Sequence, residues 1–174
     1  MSSDYKDLFI ETENLVFGRV SFLHMKIPFN WRVHPIPHRT DVETWIDKGD
    51  IKWVTSGYTG FILVDEDTGY TQPFYINVRR NTGGKDLREI LYRDLRNIDS
   101  IHEFKAGDFN ALYYVKTKRR RRYILFGSVY EEEVIRIAID CRDTYRVLVI
   151  EAPIKIGLKH FLNNILPLFK SIKC

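Results

Sequence analysis

From residue 101 onward the chain is cut by a turn-forming cluster about every 8–12 residues. The clusters are Ala106-Gly107-Asp108, a cationic run at 116–122, Glu131-Glu132 and Arg142-Asp143-Thr144. Between them lie runs rich in β-branched and aromatic residues, at about 101–106, 109–117, 122–129, 133–141 and 145–151. This spacing predicts a meander of five antiparallel strands. Val134, Ile135, Ile137, Ala138 and Ile139 make 133–141 apolar nearly throughout, the pattern of a central strand covered on both faces. Pro153 closes the sheet because it has no backbone donor for a ladder.

The first hundred residues are more mixed. Residues 1–18 read as a lead-in segment and 19–174 as one domain, with no repeat, low-complexity tract or linker between them. Residues 19–27 form a mostly apolar strand that Pro28 ends. Thr40 and Glu43 have capping-box spacing ahead of Trp45 and Ile46, which predicts a short helix over 41–48. Strands follow at 51–56, 60–65 and 71–79, the last with Phe74, Ile76 and Val78 alternating against Tyr75, Asn77 and Arg79. The acidic, Gly-ended stretch Asp65-Glu66-Asp67-Thr68-Gly69 is a hairpin turn; it lacks the twelve-residue spacing of a calcium loop. A loop at Asn81-Thr82-Gly83-Gly84 leads into a helix over 86–97, on which Leu87, Ile90, Leu91, Leu95 and Ile98 make one apolar stripe. The last element is a helix with Leu158, Phe161, Leu162, Ile165, Leu166, Phe169 and Ile172 on one side, and Pro167 should kink it or start a new turn. Helices this few and far apart do not support a doubly wound parallel sheet. The expected fold is α+β: a mainly antiparallel sheet with helices packed on its faces.

Three segments in this order resemble the PsbP-like superfamily. They are the strand running into Ile27-Pro28-Phe29-Asn30-Trp31, the segment Gly107-Asp108-Phe109-Asn110-Ala111-Leu112-Tyr113-Tyr114-Val115, and the strand at 145–153 followed by the C-terminal helix ending Lys170-Ser171-Ile172. That superfamily includes the extrinsic photosystem II protein and a Ran-binding nuclear-import factor. The resemblance implies an α/β/α sandwich and a largely non-catalytic, accessory or binding role; as fold analogy it does not set function.

Charge is concentrated rather than spread. The 174 residues carry 27 Lys and Arg against 23 Asp and Glu. Lys116, Lys118, Arg119, Arg120, Arg121 and Arg122 account for six of those cations; with them set aside, 21 cations face 23 anions. A general electrostatic coat for nucleic acid is therefore excluded, and one local anion or partner site remains, with Tyr123 beside it. Read as the tip and upper strand ends of a hairpin over 109–129, the run places Lys116, Lys118, Arg120 and Arg122 on one strand face. Its functional reading is contact with a protein partner, or with phosphate or nucleic acid through Arg forks and stacked tyrosines. The structural reading is a solvated tip that discourages edge aggregation.

No other motif carries chemistry. Prolines keep His34 and His38 off a common helix face, so no metal site is expected there with Asp41 and Glu43. His24 reads as a packed or edge residue, and His102 and His160 have no evident partner. The loop before the 86–97 helix lacks P-loop spacing and reads as a cap. No G-x-S-x-G is present, so no catalytic residue and no cofactor is assigned, and a hydrolase with an unrecognised triad is the weakest reading. Cys141 reads as a buried small hydrophobe and Cys174 as a free terminal thiol. No apolar run reaches the length of a membrane span, and the polar, acidic start lacks a signal pattern, so the expectation is cytoplasmic. One Gln among abundant Arg, Lys, Glu and Ile leans toward a thermophile. The leading functional expectation is a non-catalytic binding or accessory protein that contacts a protein partner. The alternative is a nucleic-acid or phosphate binder acting through 116–122. Oligomeric state is open.

Overall fold

The computed structural model describes residues 4–14, 18–37, 46–47, 50–51, 58–121 and 128–174. Its frame is one seven-stranded antiparallel sheet in the order β3-β6-β7-β11-β10-β9-β8. The strands are β3 (Trp31–Pro37), β6 (Tyr58–Asp65), β7 (Thr71–Arg80), β8 (His102–Ala106), β9 (Phe109–Arg121), β10 (Val129–Cys141) and β11 (Arg146–Pro153). A hairpin of β1 (Tyr5–Asn14) and β2 (Gly18–Pro28) is a separate two-stranded layer, and the two-residue strands β4 (Ile46–Asp47) and β5 (Asp50–Ile51) pair with each other.

The fold is mainly β, which corrects the expected α/β/α sandwich. The helical pieces are short: α1 (Leu87–Ile90), α2 (Tyr92–Leu95), and α3 (Leu158–His160) running on into a π turn at Phe161–Ile165 and a 3-10 turn at Leu166–Ser171. Segments of three to six residues cannot cover a sheet as a layer. One face of the sheet is closed instead by the β1–β2 hairpin and the C-terminal turns. Leu8, Leu23, Met25 and Ile27 from the hairpin meet Phe61, Phe74, Ile137, Ile139 and Ile150 from the sheet and Phe161, Ile165 and Phe169 from the turns in one buried cluster. The segment read as a lead-in thus supplies β1, in which Leu8 is buried between exposed Asp7 and Phe9.

Several sequence expectations hold in pattern and fail in extent. The stripe predicted for 86–97 does pack on the opposite face of the sheet, with Leu87 and Leu91 buried among Leu112, Tyr114, Ala138, Val147 and Val149. The single helix does not form: Leu91 leaves helical geometry and splits it into α1 and α2. Arg79 Nη1 takes the Ile90 carbonyl at 3.4 Å and Arg79 Nη2 takes Asp94 at 2.6 Å, so docking to the sheet replaces helical continuity. Loop 81–86 is a cap, as expected. The Asn81 side chain holds both the N–H and the carbonyl of Lys85, and Asp86 Oδ1 accepts from the Glu89 N–H. Pro167 does open a new turn. The helix expected over 41–48 is contradicted at Ile46 and Asp47, which are extended in β4; 41–45 and 48 lie outside the described residues. The predicted turn at Glu131-Glu132 does not exist. Those residues sit inside β10, opposite Arg119 and Lys118, because opposite charges across a ladder stabilise a strand that either run alone would disfavour.

The cysteine reading is also corrected: Cys141 and Cys174 form a disulfide across 33 positions, with Cα atoms 5.8 Å apart. Cys141 is fully buried as expected, but Cys174 is bonded to it rather than free. The bond belongs to a larger clamp. Lys173 and His24 exchange backbone hydrogen bonds at 2.8 and 2.9 Å, and the Ser171 hydroxyl accepts from the Lys26 N–H at 2.8 Å. His24 is braced in turn by Asp7 at 2.8 Å and by stacking on Phe9. Gly107, in the β8–β9 turn, has φ +60 and lies so close that a Cβ there would stand 2.2 Å from the Ile172 carbonyl oxygen. Among the described residues no helix is long and apolar enough to cross a membrane.

Two outcomes follow for stability. Cys174→Ser should lower unfolding free energy by about 3–4 kcal/mol, the chain-entropy value for a loop of this length, and should speed amide exchange at His24 and Lys26 in β2. Gly107→Ala should cost about 2 kcal/mol or more, because it combines a left-handed backbone with a backbone clash. Urea denaturation with exchange mass spectrometry measures both.

Candidate functional site

Residues 116–121 of the cationic run lie along the last part of β9, at the upper strand end of the hairpin that β9 makes with β10. Lys116, Lys118 and Arg119 are on the strand, and Arg120 and Arg121 continue its backbone; the side chains of Arg120 and Arg121, and all of Arg122 and Tyr123, lie outside the described residues. The register pairs Arg119 with Glu131, Lys118 with Glu132 and Thr117 with Glu133. An acidic run therefore stands directly across from the basic one.

The alternation expected for Lys116 and Lys118 is present, and Lys118 points to the face that carries α1 and α2. There Lys118 Nζ reaches Glu151 at 2.5 Å. Glu151 also accepts from Arg136 at 2.9 Å, Arg136 reaches Asp94 at 3.1 Å, and Asp94 accepts from Arg79 at 2.6 Å. Three cations and two carboxylates thus form a chain from β9 across β10 and β11 to β7 and α2. Burial by itself would raise both carboxyls, but the hydrogen bonds and charges of their cations outweigh it and hold Asp94 and Glu151 below the usual carboxylate range. The Tyr114 hydroxyl is buried beside Arg136 without meeting hydrogen-bond geometry, and burial pushes its pKa up. Sequence reasoning missed this chain, because its members come from four strands and one turn. The local signal is Arg136, a charged residue set between the apolar Ile135 and Ile137.

Lys118 is thereby a structural ion-pair partner, and Arg119 is paired with Glu131 at 3.1 Å on the surface. Surface pairs like the second contribute little to stability, yet both lower the positive potential available to a phosphate backbone. Lys116 differs. It lines a groove of 710 Å³ with Arg96, Asp99, His102, Tyr113 and Leu162. His102 stacks on Tyr113 at 4.8 Å, and His160 meets the Tyr70 ring at 4.9 Å, so both histidines that had no partner in sequence have aromatic ones.

The groove runs beside an open strand edge. β8 pairs with β9 only from Ala106 opposite Phe109 to His102 opposite Tyr113, whereas β9 continues to Arg121. Beyond Tyr113, no strand follows the outer edge of β9 among the described residues. Val129 and Tyr130 are 55% and 46% exposed at the far end of β10, giving apolar surface close to that edge. His34 is an exposed residue on the edge strand β3, and His38, Asp41 and Glu43 lie outside the described residues. Among the described residues no three metal-ligating side chains converge.

The charge chain predicts acid sensitivity of a defined sign. Asp94 and Glu151 have lower pKa values folded than unfolded, so the unfolded state binds more protons as acid is added. Their contribution is complete above the ordinary values of 3.8 and 4.5 and drains as pH falls through the lower folded ones. Glu151→Gln should remove part of that acid slope and cost about 2–3 kcal/mol at neutral pH, somewhat less than a fully buried pair; denaturant titrations at several pH values read both.

Comparison with known proteins finds no family model that matches the chain, no curated protein similar to it and no solved structure that matches it.

Proposed function

We propose that this is a non-catalytic binding protein that takes an extended, acidic segment of a protein partner along the open edge of β9. The observation that carries the reading is the mismatch in length between β8 and β9, which leaves backbone donors and acceptors of β9 without a strand partner among the described residues. Such an edge is a template for strand addition, in which main-chain hydrogen bonds give affinity and adjoining grooves give specificity. The groove beside it has that form: Tyr113, Leu158 and Leu162 supply apolar contact, and Arg96 and Lys116 outnumber Asp99. The partner segment therefore alternates apolar residues with carboxylates.

The nucleic-acid alternative has less support. Lys118 and Arg119 already hold carboxylates, and Glu131, Glu132 and Glu133 would repel phosphates opposite residues 117–119. The PsbP-like resemblance, resting on its three sequence segments alone now that the sandwich is overturned, points to the same accessory role. A cytoplasmic setting fits the disulfide if the source is a hyperthermophile, where intracellular disulfides persist; this joins the bond to the heat-adapted composition.

Panning a displayed peptide library against the full chain should enrich segments that alternate apolar and acidic residues. Lys116→Glu should weaken their binding about tenfold, the size of one charge-assisted contact, without changing the melting temperature. Random duplex DNA and single-stranded RNA should show no steeply salt-dependent binding. Tight, salt-sensitive binding of either nucleic acid, with no peptide enriched, would replace this reading by the alternative.

A further inference from the structure

The β1–β2 hairpin has an open edge of its own. β2 is paired with β1 on one side and bridged by Lys173 at His24 on the other, while the outer edge of β1 has no strand partner among the described residues. β1 is 10 residues long, enough to lie along residues 114–121 of β9. The two outermost strands of the large sheet are poorer templates. β3 carries Pro35 and Pro37, which lack backbone donors, and β8 has only 5 residues.

Charge decides which edges can meet. From Tyr114 to Arg121, β9 carries Lys116, Lys118, Arg119, Arg120 and Arg121 and no carboxylate. A second β9 laid against it would set cations beside cations. β1 carries Lys6 against Asp7, Glu11 and Glu13, so a second β1 would set carboxylates beside carboxylates. β1 against β9 joins opposite signs instead. The exposed face of β1 fits as well. Tyr5 and Phe9 are 53% and 55% exposed, and the Asp7 side chain, although hydrogen-bonded to His24, is 52% exposed. Alternation puts these three on one face, as an aromatic, a carboxylate and an aromatic in turn. The groove beside β9 offers Tyr113, Leu158 and Leu162 to the rings and Arg96 and Lys116 to the carboxylate.

We propose that the acidic segment taken by β9 is β1 of a second copy of this chain, so that copies associate head to tail. The inference rests on the reading of β9 as an edge that accepts a strand. Pairing uses the backbone and the exposed face of β1 and leaves Leu8 in the core of its own copy. Because the two surfaces differ, the contact is heterologous. Each pair of copies still presents an unused β1 at one end and an unused β9 edge at the other, and growth continues unless the rotation closes a ring.

Sedimentation velocity of the full chain over a concentration series tests it. Mass should rise with concentration below ~1 mM, the weak range of a small exposed contact. It should fall back to that of the monomer as salt rises from about 0.05 to 0.5 M, which screens exposed charges. Phe9→Lys and Lys116→Glu should each be monomeric. Mixed one to one they should form a heterodimer and nothing larger, because each supplies the edge that the other lacks. A labelled peptide of residues 4–14 should bind the full chain and bind Lys116→Glu about tenfold more weakly, which decides the matter even if Phe9→Lys does not fold. A chain that stays monomeric throughout, a mixture of the two variants that stays monomeric, or a peptide bound equally by the unmodified chain and Lys116→Glu overturns the proposal. If library segments still bind along β9 in a Lys116-dependent way, the edge takes strands and only the occupant is wrong; if none binds, the reading of the edge falls with it.

Discussion

The C-terminal clamp is the constraint on which the rest of the molecule depends. A seven-stranded sheet with one face bare would expose the side chains that now form the main core, and the layer covering that face is only a two-stranded hairpin. Hairpins of that size are marginal alone in water. What holds this one down is the last stretch of chain. Phe161, Ile165 and Phe169 fill the space beside it, Lys173 pairs with His24 in its second strand, and Cys174 bonds to Cys141 at the end of β10. The disulfide also removes freedom from the unfolded chain. Gly107 completes the arrangement by letting the backbone at Ile172 come closer than any side chain would permit.

The opposite face is organised by charge as much as by apolar contact. Its half-length helical turns bury Leu87 and Leu91, but they are fastened by Arg79 and Arg136 through Asp94. The basic run of β9 is drawn into the same system through Lys118 and Glu151. Two cations of a stretch that looks like a surface label in one dimension, Lys118 and Arg119, are therefore held by glutamates, while Lys116 lines the groove beside the open edge.

How much of this was legible from residues alone depended on whether the interaction was local. The period-two alternation of Phe74, Ile76 and Val78, the apolar run through Ile139, the turn at Asp65 and the cap at Asp86 all act within a few residues, and each appears where the sequence placed it. The stripe from Leu87 to Ile98 correctly named the buried side, but helical continuity lost to the pull of Arg79 on Ile90 and Asp94. Glu131 and Glu132 read as a turn because nothing nearby explains them; the explanation is Lys118 and Arg119 on the neighbouring strand.

By itself, then, the sequence determined that this chain builds a mainly antiparallel sheet, which residues face its core and where most hairpins turn, because those properties follow from side-chain periodicity and local backbone preference. Tertiary structure alone decided that the second layer is β rather than helical, that Cys141 meets Cys174, that Lys118 and Arg119 of β9 are answered by glutamates, and that Asp140 is buried against Arg142. Each of those depends on strand register and on contacts between distant segments, which no spacing along the chain records.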